Sequence, residues 1–182
     1  MGTIKVHEFT TLDGVVDAPT WTSGFSFVPG MEQAIGEVMG GCRAILLGRT
    51  TYEMFEPAWS VRSAEDDPGA PFMNDSTKYV VSSTLRNATW RNTELVGGYY
   101  PNTIRRIKDE VDGGIYVSGS STLVRALIGD GLVDELHLFV FPITRASEPH
   151  LFPDVATTWS LTTHDAYDNG VLYLAYARAE AA

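Results

Sequence analysis

Hydrophobic and polar positions follow two patterns in turn over most of the chain. Short apolar or alternating runs are typical of strands, whereas apolar residues repeated every three or four positions are typical of amphipathic helices. Strands that alternate with helices predict a mainly parallel sheet. The predicted strands are Ile4–Phe9, Ala44–Leu47, Lys78–Ser83 and Gly114–Val117, and the predicted helices are Met31–Met39, closed by Gly40 and Gly41, then Pro101–Val111 and the stretch from Ser121 to Ile128.

The C-terminal part of the chain has a different pattern. Glu135–Ile143 and Val171–Ala177 are long strand-like runs, and the segment between them has no clear helical repeat. Two strands that run antiparallel need no helical crossover, so we expect an antiparallel addition at the edge of the sheet. The predicted class is α/β, and 182 residues fit a single domain over 1–182.

Composition and charge exclude several classes of function. The formal net charge is −10, and no basic cluster is longer than Arg105-Arg106, so we expect no nucleic-acid partner. No apolar run approaches the roughly 18 residues of a membrane span, and the first residues lack a secretory pattern, which predicts a cytoplasmic protein with no membrane partner. The four histidines are scattered without ligand spacing, so we expect no metal, and the lone Cys42 is expected to be buried.

Small and hydroxyl-bearing residues follow three of the predicted strands. Ligands of open α/β sheets bind outside the carboxyl ends of the strands. Glycine permits close approach of a ligand to the backbone, and threonine can cap the next helix. Arginine can make two parallel hydrogen bonds to a phosphate, and free amides at the start of a helix suit a pyrophosphate. Each junction alone fits an ordinary turn equally well, but three together predict an extended, phosphate-rich ligand. The residues are Gly48, Arg49, Thr50 and Thr51, then Ser82 and Ser83, then Ser118, Gly119, Ser120, Ser121 and Thr122.

Other nucleotide and hydrolase signatures are missing from the sequence. There is no G-x-G-x-x-G, no G-x-x-x-x-G-K-[ST] and no G-x-S-x-G. The usual Rossmann, P-loop and esterase classes are therefore disfavoured.

The order and spacing of the motifs resemble the dihydrofolate-reductase-like superfamily. The resemblance is closer to the C-terminal reductase domain of the bifunctional riboflavin-biosynthesis deaminase-reductase and its stand-alone bacterial relatives, and it covers nearly the whole chain. It implies a three-layer αβα fold with a mainly parallel central sheet and antiparallel C-terminal edge strands. The motifs are Thr10–Gly14, Leu46–Glu53, Tyr79–Ser83, Val117–Leu123, Gly131–Leu136 and Leu151–Asp154.

The resemblance also implies NADPH as the cofactor. Gly48, Arg49, Thr50 and Thr51 then look like the pocket for its 2′-phosphate side, with Ser82 and Ser83 beside the adenosine end. Val117 to Leu123 look like the platform for the pyrophosphate and nicotinamide. Arg49 would pair with the extra phosphate, which favours NADPH over NADH.

Two carboxylates and four aromatic residues are candidates on the substrate side. Asp13, in the Leu-Asp-Gly motif shared with the riboflavin reductases, is the stronger candidate, and turn formation is its other interpretation. Glu32 corresponds to the carboxylate that dihydrofolate reductases carry early on the first helix, and it also fits a solvated first-turn glutamate. An aromatic wall that stacks a flat heterocycle, or simply core packing, accounts for Trp21, Phe27, Phe55 and Trp59.

The function implied is hydride transfer from NADPH to a small heterocyclic substrate. The reaction is most like that of a 5-amino-6-(5-phosphoribosylamino)uracil reductase of riboflavin biosynthesis, although the chain lacks a dense basic set for a ribose phosphate. A dihydrofolate-reductase-type enzyme and a non-catalytic NADP-binding module are the alternatives. The same resemblance implies a homodimer, for which the apolar runs Leu136–Phe141 and Leu172–Tyr176 are available.

Overall fold

The computed structural model describes residues 1–16 and 19–179, which form one eight-stranded sheet and five α-helices. The strands are β1 (Thr3–Thr11), β2 (Cys42–Gly48), β3 (Thr77–Val81), β4 (Thr93–Gly97), β5 (Gly114–Val117), β6 (Glu135–Phe141), β7 (Trp159–Ala166) and β8 (Leu172–Arg178). The helices are α1 (Pro29–Gly40), α2 (Arg49–Trp59), α3 (Ala70–Asp75), α4 (Pro101–Glu110) and α5 (Ser121–Gly129), and a 3-10 turn covers Thr20–Gly24.

The strands lie in the order β4-β3-β2-β5-β1-β6-β8-β7. The first six of these strands are parallel to one another, whereas β8 pairs antiparallel with both β6 and β7. The predicted parallel sheet with an antiparallel C-terminal edge is therefore confirmed. β1 is the first strand in the sequence, but it lies in the middle of the sheet, between β5 and β6.

Helices cover both faces of the sheet, as the three-layer prediction required. On one face, α4 and α5 bury apolar side chains such as Ile104 and Leu127 against β1, β2 and β5. On the other face, α1, α2 and α3 pack through residues such as Val38, Tyr52 and Met73. Burying one large apolar side chain stabilises the folded state by about 1.5–3 kcal/mol, so these two layers together stabilise the sheet. The strand ends are thereby fixed relative to each other.

Several local predictions need correction. The expected threonine cap of α2 is absent, because the helix begins at Arg49 and Gly48 occupies the N-cap position without a side-chain bond. The strand runs end elsewhere than expected, with β6 stopping at Phe141 and β8 running from Leu172 to Arg178. The segment between β6 and β8 contains β7, which the periodicity missed because all but its first residue are exposed. An exposed edge strand carries no buried face to produce alternation.

Cys42 lies buried at the start of β2, as predicted. Burial raises the pKa of its thiol to about 11.

None of the helices in residues 1–16 and 19–179 is long and apolar enough to cross a membrane.

Candidate active site

The three predicted junctions lie side by side at one edge of the sheet. β3, β2 and β5 are neighbours and run parallel, so their carboxyl ends point the same way. Gly48, at the end of β2, is in register with Val81 at the end of β3. The Arg49 guanidinium donates a hydrogen bond of 2.8 Å to Thr84 Oγ1, which connects the first two junctions. We call this row of strand ends the rim.

The glycines of the rim are required by close contacts. A side chain at Gly48 would clash with Ser120 Oγ, so the first and third junctions touch there. A Cβ at Gly119 would lie 2.7 Å from Thr51 Oγ1, and its φ of +77° is in the left-handed region. These contacts bring the first and third junctions together in a narrow cradle of small residues.

The start of α5 supplies free hydrogen-bond donors to this cradle. Ser120 is the N-cap residue and makes no side-chain cap bond, so the amides of the first turn, including those of Ser121 and Thr122, have no capping partner. Val117 and Leu123, at the two ends of the predicted platform, are buried in the core and fix its position. The residues between them can therefore hold an anion by their backbone, and they fit the pyrophosphate of a dinucleotide.

Two polar side chains of the rim, Arg49 and Ser82, have hydrogen-bond partners within the chain. Arg49 Nε donates to Glu53 Oε1 over 2.9 Å, and both side chains are about half exposed. The Ser82 hydroxyl accepts from the Leu85 amide at 2.9 Å and so shapes the turn after β3. Thr50 and Ser83 are exposed at the rim surface. Arg49 is the cationic side chain of the rim, and a phosphate that binds it would compete with Glu53.

A cavity of about 750 Å³ lies next to the rim, on the face covered by α1, α2 and α3. Its walls come from β1, β2, β5, these three helices and the loops before α1 and α3. Ser118, the first residue after β5, belongs both to the rim and to the lining of the cavity. Aromatic side chains dominate the walls: Phe9, Phe27, Phe55, Trp59 and Phe72.

Two buried polar residues, His7 and Tyr116, form part of the cavity lining. His7 Nδ1 and Tyr116 Oη are 2.6 Å apart, and His7 Nε2 has no partner among the described residues. Burial, and to a smaller extent the nearby His137, lowers the pKa of His7 to about 3, so His7 is neutral at pH 7. Burial also raises the pKa of Tyr116 well above its usual value. The pair is an uncharged hydrogen-bonding group beside the aromatic residues of the wall.

Four of the six predicted substrate-side residues meet at this cavity. Phe27, Phe55 and Trp59 are in its wall, and Glu32, in the first turn of α1, brings a carboxylate to the same space. Phe27, Phe55, Trp59 and Glu32 therefore share one cavity, and Glu32 is also exposed to solvent, as in its other interpretation.

Asp13 lies outside this cavity lining. Its carboxylate accepts hydrogen bonds from the Arg145 and Ala146 amides, at 3.0 and 2.7 Å, and from the Thr11 hydroxyl. These bonds, with that of Thr11 first, lower the pKa of Asp13 to about 2. The structure gives Asp13 the turn-forming role that was its other interpretation.

Trp21 is also absent from the cavity lining. It packs with Phe25 against the C-terminal part of the sheet, near Phe139 and Phe141. For this residue, core packing describes the position better than a substrate wall.

Sequence reasoning missed His7, Glu8 and Tyr116. All three lie in central strands and are buried, and Glu8 Oε1 accepts the Gly119 amide at 3.0 Å. The signal that could have revealed them is the polar pair His7-Glu8 inside an otherwise hydrophobic central strand, because ionisable residues are rarely buried without a role.

A second cavity, of about 690 Å³, lies on the other side of α1. Its lining includes Lys5, which forms a salt bridge with Glu135, the hydrogen-bonded His137, and residues of β7 and β8. It shares no residue with the rim, so it is the weaker candidate for a substrate that must meet a cofactor there.

No group of three or more metal-ligating side chains occurs within residues 1–16 and 19–179.

The sheet order, the rim and the adjoining cavity define a protein of the dihydrofolate-reductase-like fold. The family model of the RibD C-terminal domain matches residues 3–173, and the chain belongs to this family. No curated protein matches the sequence significantly. Membership supports an oxidoreductase of the riboflavin-biosynthesis type.

Solved structures agree on the fold. A protein from Shewanella sp. PV-4, described as a candidate riboflavin biosynthesis protein, has a TM-score of 0.78 at 16% identity, covering 98% of this chain and 99% of its own. A pyrimidine reductase-like protein from Corynebacterium diphtheriae has a TM-score of 0.66 at 13% identity, covering 99% and 93%. Dihydrofolate reductase from Enterococcus faecalis, complexed with NADP(H) and RAB-propyl, has a TM-score of 0.65 at 17% identity, covering 98% of each chain.

Proposed function

We propose that the protein is an NADPH-dependent reductase that transfers a hydride to a small, flat heterocycle, in a reaction most like that of a 5-amino-6-(5-phosphoribosylamino)uracil reductase. The observation that carries this proposal is the position of Ser118, which belongs to both the rim and the cavity. A dinucleotide bound along the rim would reach the cavity at that residue. Membership in the RibD C-terminal domain family supports the same reaction class.

The residues of the rim fit NADPH. The Gly48–Ser120 and Gly119–Thr51 contacts form a cradle of small residues, and the uncapped amides at the start of α5 would bind the phosphates there. Arg49 is placed to pair with the 2′-phosphate, where a guanidinium gives bidentate bonds. The complex of the Enterococcus faecalis dihydrofolate reductase with NADP(H), which shares this fold, supports this choice.

The cavity lining favours a heterocycle with little negative charge. Aromatic walls such as Phe55 and Trp59 can stack a flat ring. Arg43 is the cation of the lining, whereas Glu32, Asp66 and Asp67 contribute carboxylates. A phosphorylated substrate would therefore need to place its phosphate at Arg43, and an unphosphorylated pyrimidine or pteridine would meet less repulsion.

In this proposal NADPH supplies the hydride, and the chain orients the substrate and supplies a proton. Glu32 would hold a proton near the ring nitrogen or oxygen that accepts the displaced electron pair. His7 and Tyr116 would hydrogen-bond the edge of the ring without adding charge. The aromatic walls would exclude water from the reacting atoms.

Thermal denaturation with NADPH, NADH and no ligand tests the cofactor assignment. A ligand that binds the folded state at a hundred times its Kd stabilises it by about 2.7 kcal/mol, so the shift is measurable. We expect a larger shift with NADPH than with NADH, and we expect Arg49→Ala to abolish the difference. Arg106→Ala is the matched control, because Arg106 makes the same kind of exposed bond to Glu110, 2.9 Å long, on α4.

Three results would decide between the candidate functions. No shift with either nucleotide at millimolar concentration would sink the reductase proposal. Binding without NADPH oxidation by any pyrimidine or pteridine would favour a non-catalytic NADP-binding module. Oxidation with dihydropterins but not with ribosylaminouracils would favour a dihydrofolate-reductase-type enzyme, to which the carboxylate of Glu32 in the cavity also points.

We also propose that the protein forms a homodimer through its C-terminal strands. β7 is exposed along almost its whole length, and the side chains of Leu161 and Leu172 are 50% and 40% exposed. Exposed edge strands with apolar residues are ready sites for pairing. Light scattering on the purified protein, compared with Leu161→Lys, tests this: a dimer that the substitution dissociates is expected, and a monomeric wild type would rule it out.

A further inference from the structure

Glu8 interrupts the apolar face of the central strand β1. Alternate residues of a strand face the same side, so Glu8 shares its side with Ile4 and Val6, which are completely buried against α4 and α5. Glu8 itself is only 8% exposed. A buried carboxyl group costs stability that an apolar residue at this position would not. Its presence therefore calls for a role.

The carboxyl group of Glu8 contacts the rim. Gly119 N donates to Glu8 Oε1 over 3.0 Å, and this bond joins the middle of the sheet to the turn between β5 and α5. Gly119 and Ser120 are the residues of that turn that pack on Thr51 and Gly48. The carboxyl oxygen of Glu8 therefore fixes the backbone that forms the cradle.

Glu8 has no cationic partner in the part of the chain that the structure describes. The cations of β1 and α5 bind elsewhere: Lys5 binds Glu135, and Arg125 donates to the carbonyl oxygens of His150 and Phe152. Tyr116 of β5 is neutral. Burial raises the pKa of Glu8 to about 8, against a smaller opposing effect of the Gly119 hydrogen bond.

We propose that Glu8 is a positioning residue for the cofactor: in its neutral form it holds the Gly119 amide and keeps the cradle open to an anion, and ionisation weakens nucleotide binding. The inference rests on the proposed function. An ionised carboxylate behind the turn would repel a pyrophosphate seated at the start of α5, and this repulsion is poorly screened in a buried position. Affinity for NADPH would then fall as the pH rises through the pKa of Glu8.

The test compares Glu8→Gln and Glu8→Leu with the wild type. Glutamine keeps a carbonyl oxygen for the Gly119 amide but cannot ionise, whereas leucine removes the acceptor. The Kd of NADPH is measured by fluorescence at several values between pH 7 and pH 9.5, above the second phosphate pKa of about 6. Lys78, whose pKa burial lowers to about 8, titrates in the same range, so the difference between the wild type and Glu8→Gln carries the test.

We expect the wild-type affinity to fall about tenfold between pH 7 and pH 9.5, corresponding to a pKa shift of about one unit on binding. Glu8→Gln should bind NADPH as the wild type does at pH 7 and lose most of the pH dependence. Glu8→Leu should bind several-fold more weakly than the wild type at pH 7 and should lose most of the pH dependence. Equal affinity of Glu8→Leu and the wild type at pH 7, or an unchanged pH profile in Glu8→Gln, would overturn the inference.

A second measurement separates this inference from the proposed function. The amide signal of Gly119 in nuclear magnetic resonance spectra, recorded without nucleotide, should titrate with Glu8 in the wild type and not in Glu8→Gln. If neither the wild type nor any variant binds NADPH, the proposed function fails. If the Gly119 signal also does not titrate, Glu8 does not hold the turn either. If the wild type binds NADPH while that signal stays constant, only the role of Glu8 is wrong.

Discussion

The rim and the cavity differ in how they are built. The rim consists of three short, contiguous segments, each directly after a strand, and it presents mainly backbone atoms and exposed polar groups. The cavity takes single residues from β1, β2, β5, three helices and two loops, and it includes buried ionisable groups. A site made from strand ends can be recognised in local sequence, whereas a site made from separated faces depends on how the elements pack. Five predictions test this contrast, from the largest expected effect to the smallest.

The largest effect is expected at Glu32 in the cavity. Glu32→Gln removes a carboxylate from the lining and, if Glu32 supplies the proton, should lower kcat about 100-fold, since general acid catalysis contributes about 10²–10⁴. Affinity for NADPH should not change. Steady-state kinetics with the heterocycle identified by screening check this, and Glu37→Gln, further along the same helix, is the control. Unchanged kcat would remove Glu32 from the mechanism.

A smaller effect is expected at Gly48 in the rim. Gly48→Val should weaken NADPH binding about 30-fold, because its side chain would displace Ser120 and overpacking of this kind costs about 1–3 kcal/mol. Gly129→Ala, at a helix position with open space around it, should bind NADPH normally. Titration by fluorescence compares the two, and equal affinities would show that the cradle does not hold the cofactor.

The next effect concerns the His7–Tyr116 pair. Tyr116→Phe leaves His7 Nδ1 without its hydrogen-bond partner and should cost about 1–3 kcal/mol of unfolding free energy. Tyr100→Phe is the control, since Tyr100 is 65% exposed. Urea denaturation at pH 7 measures both, and equal losses would mean that the pair contributes nothing to the fold.

The pair also predicts a pH dependence. The pKa of His7 falls from 6.5 to about 3 on folding, so the unfolded chain binds a proton that the folded chain excludes. The free energy of unfolding should therefore decline as the pH falls from about 6.5 towards 3. His7→Phe should make this decline shallower. An identical slope of unfolding free energy against pH in both proteins would contradict the assignment of His7 as buried and neutral.

The smallest effect is expected at Asp13. The hydrogen bonds of its carboxylate lower its pKa from 3.8 to about 2, so their stabilisation is complete above pH 3.8 and disappears as the pH falls through 2. Asp13→Asn should lower Tm by a few degrees at pH 7 and by almost nothing near pH 2. It should leave NADPH affinity unchanged, and a large loss of kcat would restore Asp13 as a catalytic residue.

The sequence by itself determined the class of fold and most of the rim. Buried runs such as Ala44–Leu47 and helical repeats such as those of α4 are local signals, and the small residues after β2 and β5 mark the places where the backbone must be approached closely. The resemblance to a known family rested on the same contiguous motifs. Membership in the RibD C-terminal domain family confirms that part of the reading.

Only the tertiary structure decided which polar residues meet. It put Glu32 in the cavity and left Asp13 and Trp21 outside its lining, although all three were candidates by position. It also brought Glu8 to Gly119, 111 residues apart, and His7 to Tyr116, 109 residues apart. Such pairs depend on strand order, because β1 inserts beside β5, and no local pattern of hydrophobic and polar residues records which strands become neighbours.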